Sequence, residues 1–137
     1  MSEPFHAWLK SFLAGKPVRK SGAVIYFDSG GSEVSRLSFT DAVITEIVFP
    51  AMDAKWEENA VLTVKLSPAS TRRSRDRAGR VVNFDPASMP TWLTRHFRLA
   101  IDGLAETCAR VRRVEAMVAR IEPERGLDVS DLIITFP

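Results

Sequence analysis

The sequence predicts a mainly β (α+β) chain, an antiparallel sandwich- or barrel-like fold that carries one short helix. Three observations predict it. In the run Ala60–Ser67, Leu62, Val64 and Leu66 point one way while Val61, Thr63, Lys65 and Ser67 point the other, the period of two that marks a strand with one buried face. Asp28-Ser-Gly-Gly-Ser supplies hairpin turn chemistry, because glycine tolerates the positive φ that such turns demand. One short stretch near the start has clear helical periodicity.

That stretch is Phe5 to Leu13. Phe5, Trp8, Leu9, Phe12 and Leu13 fall on one face of an α-helix, Ser2 or Pro4 can start it, and Gly15 followed by Pro17 stops it. Gly22–Asp28 then reads as a strand rich in β-branched and aromatic residues, with Glu33–Phe39 as its return strand. Val43–Phe49 and Ala60–Ser67 come next, joined by a polar connection that begins at Pro50, so the first half is one helix and then four strands.

Residues 68–91 break the pattern. Proline, serine, glycine and arginine dominate, no apolar period survives, and the segment reads as a loop or linker. Beyond it, Trp92–Leu104 alternates as a strand would, with Phe97, Leu99 and Ile101 facing one way against Arg98 and Ala100, before an Asp102-Gly103 turn. Glu106–Glu122 conflicts with itself: Cys108, Val111, Val114, Val118 and Ile121 sit at helical spacing among helix formers, which favours an amphipathic helix over a strand. Asp131–Phe136 reads as the last strand.

Length and composition set bounds on function. A chain of 137 residues makes one domain, and 45% hydrophobic with 26% charged residues is ordinary for a globular protein. A net charge of +2 is weak evidence for a nucleic-acid partner. Cys108 is the only cysteine, so no intramolecular disulfide can form. The opening residues lack a basic region followed by an apolar core, and no run is apolar over the ~18 residues a membrane span needs. The expectation is synthesis in the cytoplasm.

The catalytic residue types are sparse. His6 lies on the first helix turn and His96 at a strand start, neither beside a nucleophile, and Cys108 has no histidine near it in sequence. Asp28, Glu33, Asp41, Asp53, Glu57 and Glu58 do not fall at ligand spacing, and Gly30-Gly31 follows a strand without leading into a helix, as a phosphate cradle would. The expectation is therefore no enzyme, with no catalytic residues, no metal and no cofactor. The sharpest chemical feature is Arg72, Arg73, Arg75, Arg77 and Arg80, crowded enough to contact phosphates or an acidic partner, against the plainer reading of a solvated loop. A small nucleic-acid-binding module using the Arg72–Arg80 loop is accordingly the alternative function.

Several pieces together resemble the tail-tube proteins of contractile phages and phage-tail-like injection systems. They are FRLAIDGL (Phe97–Leu104), FHAWLKSF (Phe5–Phe12), SGAVIYFDSGG (Ser21–Gly31), FPAMDA (Phe49–Ala54) and VLTVKL (Val61–Leu66). Their order is rearranged, since the pieces that open such a domain lie after residue 91 and those that close it before residue 70. One arrangement that fits is a circular permutant, a single compact unit in which the loop at 68–91 joins the old ends. The other is a window on a longer tandem protein, which the abrupt ends favour, with residues 1–70 as the second half of one tube-like domain, 71–91 as linker and 92–137 as the first half of the next.

The resemblance implies a tail-tube fold and pushes 106–122 back towards a strand. It also implies a structural subunit that works by β-pairing with copies of itself and with other tail proteins, around a lumen holding DNA or protein cargo, with no membrane insertion, in a virion tail or phage-tail-like particle. Phe49, Pro50, Asp53 and Ala54 would then lie at a strand junction near subunit contacts.

Overall fold

A computed structural model of the chain describes residues 3–75 and 91–137. The described chain is mainly β, with antiparallel sheets, one eleven-residue helix α1 (Glu3–Leu13) and a single helical turn α2 (Ala105–Cys108). Its strands are β1 (Lys20–Phe27), β2 (Glu33–Phe49), β3 (Met52–Asp53), β4 (Thr63–Ser67), β5 (Ser70–Ser74), β6 (Arg113–Val114), β7 (Met117–Glu122), β8 (Gly126–Val129) and β9 (Ile134–Thr135). The chain divides into two compact units, the described parts of Met1–Ile44 with Leu66–Met89, and of Thr45–Lys65 with Pro90–Pro137.

In the first unit, α1 buries Trp8, Leu9 and Phe12, while Leu13, which shares their periodicity, is exposed. Trp8 Nε1 donates to the Val18 carbonyl at 2.7 Å, so the indole is buried without an unsatisfied donor. The helix ends as expected at Gly15, whose φ of 71° is left-handed. There the Gly15 N–H donates to the Phe12 carbonyl and the Lys16 N–H to that of Ser11, the paired bonds of a Schellman cap. The hairpin of β1 and β2 also forms where the sequence places it, and Asp28 Oδ1 accepts from the Gly30 and Ser32 N–H groups in its turn.

Two expected strands, Glu33–Phe39 and Val43–Phe49, are one. The residues between them, Thr40–Asp41–Ala42, look like a break in sequence but form a bulge: Lys20 pairs with Ala42 and Gly22 with Phe39, one extra residue on β2. Asp41 absorbs it at a left-handed φ of 49°, its N–H bonded to Ser21 Oγ and its carbonyl to Arg19. The segment read as a loop contains β5, which pairs antiparallel with β2, Arg36 facing Ser74 and Thr40 facing Ser70. Its strand character comes from backbone pairing with β2, which its polar composition does not advertise.

In the second unit, the end of β2 pairs with β7, Glu46 facing Arg120 and Phe49 facing Met117, and β7 pairs with β8. A small sheet runs in the order β3-β6-β9. Ile47 and Ala119, which face each other in the register, are fully buried. β4 pairs with β2, and in and before it Leu62, Val64 and Leu66 are half-buried against exposed neighbours, as the alternation predicts, although Ala60–Leu62 lie outside the strand.

Three expectations fail in this unit. Trp92–Leu104 forms no strand; its only ladder contact among the described residues is one bridge between Leu93 and Asn59. Glu106–Glu122 is neither one long helix nor one strand, but the end of α2 followed by β6 and β7. The Arg112 and Glu115 N–H groups donate to the carbonyls of Thr135 and Ile133, so pairing with the last segment overrides helix propensity there. That last segment, expected as Asp131–Phe136, is a strand only at β9.

Candidate assembly surface

The first unit presents an apolar sheet face that ends in an open edge. Antiparallel partners share a face, so Val24 and Leu37 stand together with Arg73, and Gly22 and Phe39 stand with Thr71. Val24 and Tyr26 are each 46% exposed and Phe27 38%, which is unusual for a strand made of such residues. β1 pairs only with β2 among the described residues. Every second residue of β1 therefore turns its N–H and C=O outward, a template for another strand. Gly22 leaves room on β1 for the Phe39 ring: a Cβ there would lie 2.8 Å from it.

The arginine cluster is split by β5. Arg72 pairs with Ser38 and Arg73 with Leu37, so successive side chains stand on opposite faces of the sheet. Arg75 follows the strand, and Arg77 and Arg80 lie outside the described residues. Arg36, which shares the Arg72 face, makes a two-pronged contact with the buried Glu33, at 2.8 and 3.1 Å, and that hydrogen bonding raises its pKa.

The four junction residues sit in the second unit. Phe49 closes β2, Pro50 comes next and is half-buried, Asp53 is buried in β3, and Ala54 is exposed with its N–H donating to the Arg112 carbonyl. Asp53 is tied inward. Its Oδ1 accepts from the Lys55 N–H at 2.9 Å, its Oδ2 lies 3.5 Å from Arg113, and its N–H donates to the Thr94 carbonyl. Arg113 also grips Glu115 through both oxygens, at 2.7 and 3.0 Å, and stacks 4.4 Å over the Trp56 ring. The hydrogen bond from Arg113 lowers the pKa of Glu115 and raises that of Arg113. A buried carboxylate held by a guanidinium against a neighbouring acid makes a structural clasp on β3 and β6. The sequence points to Asp53 but not to its partners Arg113 and Glu115, which lie far along the chain.

Phe97–Ile101, within the expected strand Trp92–Leu104, lines a groove of about 380 Å³ together with Ala54, Arg95, Ala105, Cys108, Ala109 and Val111. Phe97 and Leu99 are half-buried while Arg98, Ala100 and Ile101 are exposed, so most of the facial alternation survives. What is missing is the ladder: no N–H from Phe97 to Ile101 donates to the backbone of another described residue.

His6 is exposed on α1, His96 is exposed in irregular chain rather than at a strand start, and Cys108 is a half-buried free thiol. Among the described residues, no group of three or more His, Cys, Asp or Glu side chains is placed to hold a metal ion, and no helix is long and apolar enough to cross a membrane. Compared with known proteins, the chain matches no family model, no curated protein and no solved structure.

Proposed function

We propose that the chain is a structural subunit of a contractile tail or phage-tail-like injection tube, or part of one, and that it works by β-mediated assembly with copies of itself. The observation that carries this reading is the open edge of β1, an apolar strand with seven of its eight residues exposed. A strand of that composition, paired on one side only among the described residues, gains most by pairing with another chain, and natural proteins otherwise blunt such edges with charge, proline or cover. The same strand lies in SGAVIYFDSGG, one of the pieces on which the resemblance to tail-tube proteins rests. Assembly and lumen formation would be the whole mechanism, and no residue is given a catalytic role.

Size-exclusion chromatography with light scattering, followed by negative-stain electron microscopy, tests this. Rings or short tubes that grow with concentration are the expected result. A chain that stays monomeric throughout the micromolar range refutes self-assembly.

A further inference from the structure

The self-assembly reading names a surface that offers a strand edge but not the surface that receives it. Phe97–Ile101 has the complementary need. It is strand-like in composition and alternation, and its N–H groups have no backbone partner among the described residues. Unpaired main-chain groups call for an extended peptide rather than a small molecule. We propose that the open edge of β1 in one copy pairs antiparallel with Phe97–Ile101 of a second copy. This rests on the self-assembly reading and supplies its geometry.

Side chains and charges choose the register. With Phe97 opposite Phe27 and Ile101 opposite Ala23, one face brings together Phe97 with Phe27 and Leu99 with Ile25. The other face sets Ala100 against Val24 and Arg98 against the Tyr26 ring. Arg98 then lies diagonal to Asp28, and Asp102 diagonal to Lys20, both on that second face. All four charged residues are exposed, and none is in an ion pair with a described residue. The parallel alternative sets Asp102 directly against Asp28, a like-charge pair. Because donor and receiver are different patches, the contact is heterologous and propagates into a closed ring or an open filament according to its rotation.

Cysteine cross-linking between two proteins reads the contact directly. In a Cys108→Ser background, Val24→Cys and Ala100→Cys occupy exposed positions that the register makes direct neighbours, near enough for a disulfide. Mixed and oxidised, the two variants are expected to give a mixed disulfide dimer several-fold faster than either variant alone. Hydrogen exchange on the unaltered chain provides a second measurement independent of folding defects. The amides of Phe97–Ile101 are expected to slow as concentration rises into the assembled range. Unchanged exchange at Phe97–Ile101, or no excess of mixed dimer, in a chain that still assembles overturns this pairing and leaves assembly standing. A chain that stays monomeric, with neither signal, overturns both.

Discussion

Two segments of this molecule share a pattern and differ in fate. GAVIYF, within β1, and FRLAI, at Phe97–Ile101, are both short, apolar and able to alternate. The first is fully laddered to β2, and the second has no ladder among the described residues. The difference lies in the residues that come next in the chain. After β1, the turn at Asp28–Ser32 folds the chain back into a return strand at once. After Ile101, Asp102-Gly103 also turns, with Gly103 at φ 77°, but beyond Leu104 lies Ala-Glu-Thr-Cys, which forms α2 rather than a strand. Alternation specifies an extended chain with two unlike faces. It does not specify a partner.

The contrast is sharpest in what each region's apolar side chains do for stability. Phe12 is only 1% exposed in the unit that holds the laddered hairpin, and Phe12→Ala is expected to cost about 3–5 kcal/mol. Ile101 is 41% exposed, and Ile101→Ala in dilute, unassembled protein is expected to change stability by no more than about 0.5 kcal/mol. Urea unfolding of both variants measures this. An Ile101→Ala loss near that of Phe12→Ala would mean that the 97–101 segment is packed as a core strand, and the comparison would fall.

Legibility in the sequence obeys the same division. Where structure is local, the sequence announces it: the helix face of Trp8, Leu9 and Phe12, the Gly15 stop, the Asp28 hairpin and the half-buried series Leu62, Val64 and Leu66 all appear as expected. Where structure depends on a distant partner, the sequence misleads. Ser70–Ser74 is polar yet becomes a strand because β2 offers it an edge, and Arg113–Val114 leaves the helical pattern because β3 and β9 flank it. The charge clasp of Asp53, Arg113 and Glu115 is invisible in sequence for the same reason. The exposure of Val24, Tyr26 and Phe27 does have a local signal. A strand with apolar residues on both faces and turn residues close by is either deeply buried or an edge in need of a partner.

The bulge in β2 tests the laddered hairpin at a finer scale. Asp41 holds a left-handed φ of 49°, where a β-branched residue is strained and glycine is at ease. Asp41→Val is expected to destabilise the chain by about 1–2 kcal/mol, whereas Asp41→Gly is expected to be neutral to within about 0.5 kcal/mol. Thermal melts of the two variants decide it. Equal losses in both would mean that the Asp41 side chain, not the backbone turn, holds the two parts of β2 in one strand.

The smallest expected effect belongs to the second unit and its clasp. Glu115 has its pKa lowered from 4.5, chiefly by the hydrogen bond it accepts from Arg113. A carboxylate with a folded pKa below its unfolded one adds stability at pH above the unfolded value, and that stability is lost as pH falls through the folded value. Arg113 keeps its charge throughout, because its own pKa is raised. At neutral pH the pair should therefore contribute a constant amount, and below the ordinary Glu value the melting temperature of the wild type should fall more steeply than that of Glu115→Gln. The difference is modest, because Glu115 is solvent-accessible and water screens the pair. Parallel melting-temperature profiles for the two proteins, carried well below the ordinary Glu value, would show that the Arg113–Glu115 contact is not held in solution, leaving Arg113 with Asp53 as its acid among the described residues.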